Sequence, residues 1–379
     1  MGKKARTMST VEDLAKLPPT GPAGETPGVH LEGDSGFVTT PVDKQNHEDV
    51  AAILRASRLD PDDFYVDWSK SARITTQLDA NGDLVQMWAK LPIYRRPERT
   101  VDVQDLVERI HEPEEPFTEP PQGDLTIMLT DQHVGKSEGA GGGTERITQR
   151  WKESVMLALI GKRYQNINLV FGGDTIEGYI SQNGRNINQT DLVLAEQLQV
   201  AQQLVLWTVQ QARNHAIQLH VSVVPGNHAE TTRVQGVPMG DNFDVMIVKN
   251  VQTALELAGA ENIEFHYPDM TDGSVTYTMG DTVFTVVHGH QFKNQMKGAE
   301  SWWSGHIANG RHPVHGNILL AGHFHNFQME NWTRDRWIMF GPSLEEESVW
   351  FANKTGATAK PGALVFETRD GEPYNIRIV

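Results

Sequence analysis

Five short polar motifs, each placed directly after a β-branched or apolar run, constrain this chain more than any other feature. They are, in order, Asp131-Gln132-His133, Gly173-Asp174-Thr175-Ile176-Glu177, Gly226-Asn227-His228, His288-Gly289-His290 and Gly322-His323-Phe324-His325. The motifs offer carboxylate oxygen, amide oxygen and imidazole nitrogen, and the chain has no cysteine. Because structural zinc sites usually use thiolates, this mixture of ligands favours a pair of divalent ions of the Mn, Fe or Zn kind.

The region after residue 123 alternates strand-like and helix-like patterns. Strands are predicted at 125–130, 167–171, 219–224, 275–279, 283–287, 318–321, 337–340, 364–367 and 375–379, and long helices at 144–164, 190–214 and 243–257. The order β-α-β-α-β-α, followed mostly by strands, predicts an α/β core of two packed sheets with helices outside. Since ligands gather at the C-terminal ends of strands in such folds, five separated motifs can converge on one site.

The motifs DQH, GGDTIEG, PGNHAE, HGH and GHFH resemble those of the calcineurin-like metallophosphoesterase superfamily, in the same order and with compatible spacing. The resemblance covers residues 124–345. One GNH or GHxH alone is weak, whereas five motifs in register are specific. The resemblance implies the four-layer α/β/β/α fold, a two-sheet β-sandwich core flanked by helices. It also implies hydrolysis of phosphate esters with two divalent ions, of which we expect Mn²⁺, with Fe²⁺ or Zn²⁺ as alternatives.

The resemblance also implies roles for individual residues. Asp131, His133 and His325 would bind the first metal, and Asn227, His288 and His323 the second. Asp174 would bridge the two metals, and a water or hydroxide between them would attack phosphorus. His228 would stabilise the transition state or protonate the leaving oxygen. Further histidines are candidates only for supporting or substrate contacts: His290, His306, His312 and His315.

Departures from the patterns of individual branches narrow the resemblance. The phosphoprotein phosphatase branch would have Asp-Arg-Gly where this chain has Glu177-Gly178-Tyr179, and purple acid phosphatases would have a tyrosine at the position of Glu177. The phosphodiesterase side remains. It includes nucleases related to the catalytic subunit of the double-strand-break processing complex, cyclic-nucleotide phosphodiesterases and small pyrophosphatases. The acidic residue usual after Gly-Asn-His is displaced to Glu230, which leaves the partner of His228 unassigned.

Basic and aromatic residues near the motifs favour a DNA exonuclease or endonuclease, with phosphate contacts from cations and base stacking on aromatic rings, for which Trp302 and Trp303 between the fourth and fifth motifs would form a platform. The candidate substrate-binding residues are Arg146, Arg185, Arg233, Lys293, Lys297, Trp302 and Arg311. Alternatively, the helical cations form a solvated face, and Trp302 and Trp303 belong to the core. Two other functions stay open. One is a phosphodiesterase or phosphatase for small phosphoesters, cyclic nucleotides or nucleic-acid ends. The other is a nucleic-acid or partner-binding module, against which the intact ligand set argues.

Two further segments have weaker patterns. The stretch 135–144 is glycine-rich but lacks the order of a phosphate-binding loop, and it is predicted to be a mobile loop beside the metal site. Glu345-Glu346-Glu347 could recruit a cation, although a solvated charged turn is the expectation.

The composition divides the chain into four parts. Residues 1–46, rich in glycine and proline, predict a disordered leader. Residues 47–96 predict a small α+β module, with a helix carrying Val50, Ile53 and Leu54 and a hairpin around 79–82. Residues 97–123 predict an acidic, proline-rich linker with a helix at 101–111 inside it. Residues 124–379 predict the catalytic domain.

The net charge of −16 argues at first against a nucleic-acid partner, although bound divalent ions would offset part of it. The absence of cysteine fits a reducing cytoplasm. The N-terminal residues lack an apolar segment typical of a secretion signal, and no run approaches the ~20 apolar residues that cross a bilayer. We therefore expect a cytoplasmic protein without membrane contact. The chain contains neither heptads nor a P-loop, so the ATPase that partners such nucleases would be a separate protein. A homodimer is also open.

Overall fold

The computed structural model describes residues 26–68, 70, 73–78, 84–96, 101–111, 123–137, 143–234, 237–269, 271–345 and 359–379. The chain divides into two compact units, Met1–Glu98 and Arg99–Val379.

The described residues of the first unit form an antiparallel sheet with one α-helix. Its strands are β1 (Gly28–Glu32), β2 (Ser35–Pro41), β3 (Phe64–Val66), β4 (Arg73–Leu78) and β5 (Leu84–Arg95). The sheet has the order β1-β2-β5-β3, and β4 also pairs with β5. Helix α1 (His47–Ala56) is capped by the Asn46 side chain, and its buried Val50, Ile53 and Leu54 pack in one cluster with Val38 and Ile93.

The disordered leader predicted for 1–46 is wrong for its last part, because β1 and β2 form a hairpin over residues 28–41. Strand β2 then pairs along β5 from Ser35 to Pro41. The polar composition that suggests disorder is that of an edge strand, since every residue of β1 is either exposed or partly exposed. The turn of the predicted hairpin at 79–82 lies outside the described residues, and so does the leader before residue 26.

The helix predicted within the linker is α2 (Val103–Ile110), with Asp102 as its N-cap. Leu106 and Ile110 are buried in the main core of the second unit. The assignment of this segment to a solvated spacer is therefore wrong, because its apolar residues recur with helical spacing and cover one side of the core. The acidic, proline-rich stretch 112–122 lies outside the described residues.

The second unit contains two sheets. The first has the order β16-β15-β6-β7-β8-β9, in which β6 to β9 are parallel. Its strands are β6 (Asp124–Leu129), β7 (Tyr164–Phe171), β8 (Ala216–Val223), β9 (Ile263–His266), β15 (Leu364–Arg369) and β16 (Glu372–Ile378). The second has the order β10-β11-β12-β14-β13. Its strands are β10 (Ser274–Met279), β11 (Thr282–Val287), β12 (Ile318–Ala321), β13 (Gln328–Thr333) and β14 (Arg336–Phe340).

Three apolar clusters separate four layers. Between the sheets, Met128 and Val170 of the first sheet pack with Phe284, Val286 and other residues of the second. The outer face of the first sheet is covered by α3 (Gly143–Leu159), α4 (Leu194–Asn214) and α5 (Phe243–Leu257). The outer face of the second sheet is covered by α6 (Gln295–Ala308). The predicted two-sheet sandwich flanked by helices is confirmed.

The differences from the predicted elements are local. Strands β9 and β13 and helix α6 were not predicted, because β9 has four residues, β13 is polar and mostly exposed, and α6 contains two glycines. No described helix is both long and apolar enough to cross a membrane.

Candidate metal centre

The five motifs follow β6, β7, β8, β11 and β12, at the C-terminal ends of parallel strands in both sheets. The two edges touch: the ring nitrogen Nδ1 of His288, after β11, lies 2.8 Å from the carbonyl oxygen of Gly172, after β7. The backbone N–H of His323, after β12, donates to Asp131 Oδ2, after β6, at 2.8 Å. The segments predicted to converge therefore meet where the two sheets face each other.

The side chains of Asp131, His133 and His325 form the first cluster. Asp131 Oδ1 lies 3.3 Å from His325 Nε2 and 4.0 Å from His133 Nε2, and the two Nε2 atoms are 3.4 Å apart. The other carboxylate oxygen of Asp131 accepts hydrogen bonds from the Thr130 hydroxyl and from a backbone N–H. One oxygen thus fixes the carboxylate, and the other faces the ring nitrogens.

The side chains of Asp174, His288 and His323 form the second cluster. Asp174 Oδ2 lies 3.0 Å from His288 Nε2, and Asp174 Oδ1 accepts the backbone N–H of His228 at 2.7 Å. His288 Nε2 is also 4.0 Å from Asp131 Oδ1, so the two clusters are adjacent. Asn227 Oδ1 is buried and has no hydrogen-bond partner among the described residues, which leaves its oxygen available as a ligand.

Backbone strain is concentrated at these residues. Nine described residues other than glycine have a positive φ, and five of them belong to the two clusters. The five are Asp131, His133, Asp174, His323 and His325, with φ between 51° and 68°. A left-handed backbone costs roughly 1–2 kcal/mol for an L-residue and persists only where its surroundings enforce it. Such strain is characteristic of functional sites.

Glycines let the backbones approach the two aspartates. A Cβ on Gly226 would lie 2.1 Å from Asp174 Oδ1, and a Cβ on Gly322 would lie 2.5 Å from Asp131 Oδ2. Real Cβ contacts do not occur at such distances, so only glycine fits at these two positions.

Each of three cluster histidines has an acceptor at its Nδ1 atom. Glu177 Oε2 lies 2.9 Å from His133 Nδ1, and Glu345 Oε1 lies 2.8 Å from His325 Nδ1. The backbone carbonyl oxygen of Gly172 lies 2.8 Å from His288 Nδ1. An acceptor at Nδ1 places the hydrogen there and leaves Nε2 as the ligand atom, the arrangement found around metal-bound histidines.

Glu345 was predicted to lie in a solvated charged turn, and that prediction is wrong for this residue. Its side chain is 6% exposed and contacts His325 on one side and the Lys136 ammonium at 2.6 Å on the other. Glu346 and Glu347 lie outside the described residues. The error arose because three consecutive glutamates are typical of an exposed turn, and nothing local reveals a buried cation and imidazole.

Glu177 contacts a second imidazole. Its Oε2 lies 3.2 Å from His228 Nδ1, and the backbone carbonyl oxygen of Glu177 lies at the same distance from that nitrogen. His228 Nε2 lies 3.2 Å from the Ser181 hydroxyl. Glu177 therefore supplies the carboxylate partner of His228 that the sequence left unassigned after Ala229. The His228 side chain is 18% exposed and its ring lies edge-on to the ring of His133, so it borders the first cluster.

Asp244 supports the centre from the start of α5. One of its oxygens accepts the backbone N–H groups of Asp174 and Gly226, and the other accepts that of Thr175. The residue is fully buried, and Asn242 caps its helix. Sequence reasoning missed this role, because Asp244 has the pattern of an ordinary first-turn acid.

Facing charges in the centre shift the pKa of several groups toward the charged form in spite of burial. Burial lowers the pKa of His288 and of His325, but the facing carboxylates outweigh this effect and raise their pKa to about 9 and about 10. The same balance raises the pKa of His228 to about 9, and the neighbouring imidazoles hold the pKa of Asp174 well below its usual range despite burial. A cation that binds here must displace imidazole protons, so its binding releases protons.

The predicted substrate contacts are only partly placed. Arg233 Nη2 donates to the carbonyl of Asn227 at 3.3 Å, which sets this cation beside the second cluster. The remaining described cations of the set are exposed: Arg146, Lys293, Lys297 and Arg311. The side chain of Arg185 lies outside the description.

The aromatic stacking platform predicted between the fourth and fifth motifs is wrong for Trp303. That side chain is buried, donates to the carbonyl of Pro313 at 2.7 Å and stacks on Trp332. Trp302 is half-buried, and its ring centre lies 4.0 Å from that of His306. Both tryptophans lie on α6, where they cover the second sheet.

The residues present fit a pair of divalent ions. Two adjacent clusters offer imidazole Nε2 atoms and carboxylate oxygens, and Asn227 adds a buried amide oxygen that has no other use in the described structure. This ligand set suits Mn²⁺, Fe²⁺ or Zn²⁺, and it does not select among them.

Comparison with known proteins gives distant likenesses only. No family model matches the chain, and no curated protein matches it. Wild-type Vps29 of Entamoeba histolytica, solved in complex with zinc, is 12% identical, covers 66% of this chain and 88% of its own, and has a TM-score of 0.31. Vps29 of Chaetomium thermophilum is 10% identical, with 65% and 85% covered and a TM-score of 0.33. Purple acid phosphatase PPD1 of yellow lupin (Lupinus luteus) is 10% identical, with 91% and 70% covered and a TM-score of 0.32. At such scores the site geometry, and not the likeness, has to support any function.

Proposed function

We propose that this chain is a dinuclear metal-dependent phosphodiester hydrolase and that DNA strands or their ends are its substrates. The observation that supports the proposal is the adjacency of the two clusters, Asp131–His133–His325 and Asp174–His288–His323, on a strained backbone. Two divalent ions held by these residues would neutralise a phosphate and supply a nucleophile at neutral pH.

The chain's own residues would divide the remaining work. Asp174 has one oxygen fixed by the backbone of His228 and the other facing His288, which suits a carboxylate shared between two cations. His228 has Nδ1 held by Glu177 and Nε2 directed at a hydroxyl, so Nε2 is the atom that can give a proton to a leaving oxygen. Arg233 would contact a phosphate oxygen beside the second cluster.

Three observations bear on the substrate and the class of function. The exposed cations support a polyanionic substrate, whereas the buried Trp303 removes part of the expected stacking surface. A small phosphoester is the alternative substrate. The strained backbone at five cluster residues and the oxygen atoms beside Nδ1 of three histidines favour a metal-bound protein over a metal-free binding module.

The test uses metal-stripped protein, with and without Mn²⁺, on end-labelled single- and double-stranded DNA and on methyl p-nitrophenyl phosphate. Wild type is expected to bind two Mn²⁺ per chain and to hydrolyse phosphodiesters only with metal. Asp174→Asn should lose at least one ion and about 10²-fold or more in kcat/KM, as expected for a contribution of several kcal/mol. Asp335→Asn, at a side chain 81% exposed in the turn after β13, is the matched control and should change neither.

Each outcome decides part of the proposal. Metal-dependent DNA shortening that Asp174→Asn abolishes supports the full proposal. Hydrolysis of the small diester with intact DNA would leave the reaction standing and refute DNA as substrate. Absence of hydrolysis on every phosphodiester, despite two bound ions, would refute the enzyme.

A further inference from the structure

A pocket of about 320 Å³ opens beside the second cluster. Its walls include Pro225, Gly226, Arg233, Met239 and His290, and we call it the Arg233 pocket. The volume is near the lower end of the ~300–1,000 Å³ typical of small-molecule sites. It suits one compact organic group and excludes a duplex.

The pocket borders the metal ligands on two sides. Gly226 packs so closely on Asp174 that a Cβ would meet its Oδ1 at 2.1 Å. The ring of His290 lies 5.5 Å from that of His288 and 6.3 Å from that of His323, between ring centres. A phosphate held at the two clusters therefore has one of its ester substituents within reach of this pocket.

The walls combine charge with hydrogen-bonding and apolar surface. Arg233 Nε is 3.1 Å from Glu230 Oε2, so a guanidinium and a carboxylate present donors and acceptors side by side. His290 Nδ1 is buried and has no hydrogen-bond partner within the described part of the chain. Met239 is 42% exposed and Val234 69% exposed, which gives apolar surface that a ligand ring could cover.

We propose that the Arg233 pocket binds a single nucleoside, the ester substituent of the phosphate being cleaved. A nucleoside has a planar ring for the apolar wall and ring-edge donors and acceptors for the Glu230–Arg233 pair. This inference rests on the proposed phosphodiesterase function and narrows it. The substrate has one nucleotide unit on this side of the scissile phosphate, as a chain end or a small nucleotide diester does.

The experiment compares two esters with the same leaving group and charge, thymidine 5′-(p-nitrophenyl) phosphate and methyl p-nitrophenyl phosphate. The Mn²⁺-loaded wild type should prefer the nucleoside ester by at least about tenfold in kcat/KM. Met239→Trp fills the pocket and should remove this preference, lowering kcat/KM for the nucleoside ester at least about tenfold. Met329→Trp makes the same change at a methionine 36% exposed on β13, outside the pocket, and should behave as wild type. Arg233→Gln should raise KM for both esters, because it removes the cation beside the phosphate.

If neither ester is hydrolysed, a measurement of nucleotide binding tests the pocket instead. Calorimetry with thymidine 5′-monophosphate and Mn²⁺-loaded protein should show binding to wild type and to Met329→Trp, weakened at least about tenfold in Met239→Trp. Equal rates on both esters in wild type, or thymidine monophosphate bound equally by wild type and Met239→Trp, would overturn the pocket and leave the phosphodiesterase standing. Lack of hydrolysis with pocket-dependent binding would refute the enzyme and support the pocket.

Discussion

Replacing Glu345 by Gln tests whether a residue outside the five motifs controls the metal centre. The carboxylate joins His325 Nδ1 at 2.8 Å to Lys136 Nζ at 2.6 Å, and His325 Nε2 in turn faces Asp131 Oδ1 at 3.3 Å. Glutamine keeps the volume but removes the charge. One of its two terminal atoms becomes a donor, so it cannot accept from the imidazole and from the ammonium together.

Loss of the Glu345 carboxylate should have two separate effects, one on metal affinity and one on the stability of the fold. Loss of the acceptor behind a metal-bound histidine typically costs 10–100-fold in metal affinity, or about 1.4–2.7 kcal/mol. Glu345 and Lys136 are 6% and 9% exposed, and removing one partner of a buried ion pair typically destabilises a fold by about 3–5 kcal/mol. We therefore expect Glu345→Gln to weaken Mn²⁺ binding at one site by 10–100-fold and to lower the free energy of unfolding of the metal-free protein.

The assay is Mn²⁺ titration by calorimetry together with urea unfolding of the metal-free protein. The double variant Lys136→Met/Glu345→Gln should recover part of the stability, because it no longer buries an ammonium without its carboxylate, but it should not recover the metal affinity. Glu145→Gln is the control. Glu145 and its partner Arg109 are 60% and 47% exposed at 3.0 Å, so the change should cost only about 0–1 kcal/mol and leave metal binding unchanged.

Two results would refute the reasoning. If Glu345→Gln binds both ions like wild type, the contact with His325 does not position a ligand. If the double variant is as unstable as the single one, the ion pair with Lys136 is not the source of the lost stability.

Three further predictions concern other contacts. Gly226→Ala should abolish tight binding of at least one Mn²⁺, because its Cβ would collide with Asp174. Gly305→Ala is the control: its Cβ would meet open space on α6, so it should raise the free energy of unfolding by about 0.5–1 kcal/mol in urea. Glu177→Gln, assayed at saturating Mn²⁺ because Glu177 also lies 2.9 Å from His133 Nδ1, should lower kcat more than it raises KM, by about 10–100-fold, since it removes the carboxylate behind His228. An unchanged kcat in steady-state assays would contradict this. Burial and the neighbouring imidazole of His220 lower the pKa of His266 to about 4, so the unfolded chain takes up its proton first as pH falls. The contribution of neutral His266 to the free energy of unfolding is full above about pH 6.5 and should decline by about 1–2 kcal/mol toward pH 4, after allowance for its partial exposure. His266→Gln should therefore reduce the difference between the urea midpoints measured at pH 7 and pH 5.

The sequence predicted the fold where a local pattern has one structural meaning. The run 167–171 and the pattern 243–257 correspond to the end of β7 and to all of α5, because β-branched residues and helical spacing act within a few residues. The leader boundary at residue 46 and the linker at 97–123 failed for the opposite reason. The hairpin of β1 and β2 and the short amphipathic helix α2 become ordered through partners far along the chain, which are β5 for the hairpin and the main core for α2.

The two clusters differ from their supporting residues in the same way. Asp131 and Asp174 could be predicted, because each stands after a strand in a motif with a recognisable order. Glu345, Asp244 and Lys136 could not, since each is defined by atoms that a distant segment provides. Asp244 receives three N–H groups from two other loops, and no short window of sequence contains them.

The left-handed backbone at five cluster residues shows why these supports matter. At roughly 1–2 kcal/mol for each residue, the strain is comparable to the whole net stability of a typical domain, about 5–15 kcal/mol. It can persist only because rigid neighbours offset it: Asp244 accepts the N–H of Asp174, and Ser343 Oγ donates to the carbonyl of Asp131 at 2.7 Å. A relaxed backbone would turn the Nε2 and carboxylate atoms away from one another, since side-chain direction follows φ and ψ. The fold itself therefore holds the proposed ligands in place, and the supporting hydrogen bonds are as much a part of the site as those side chains.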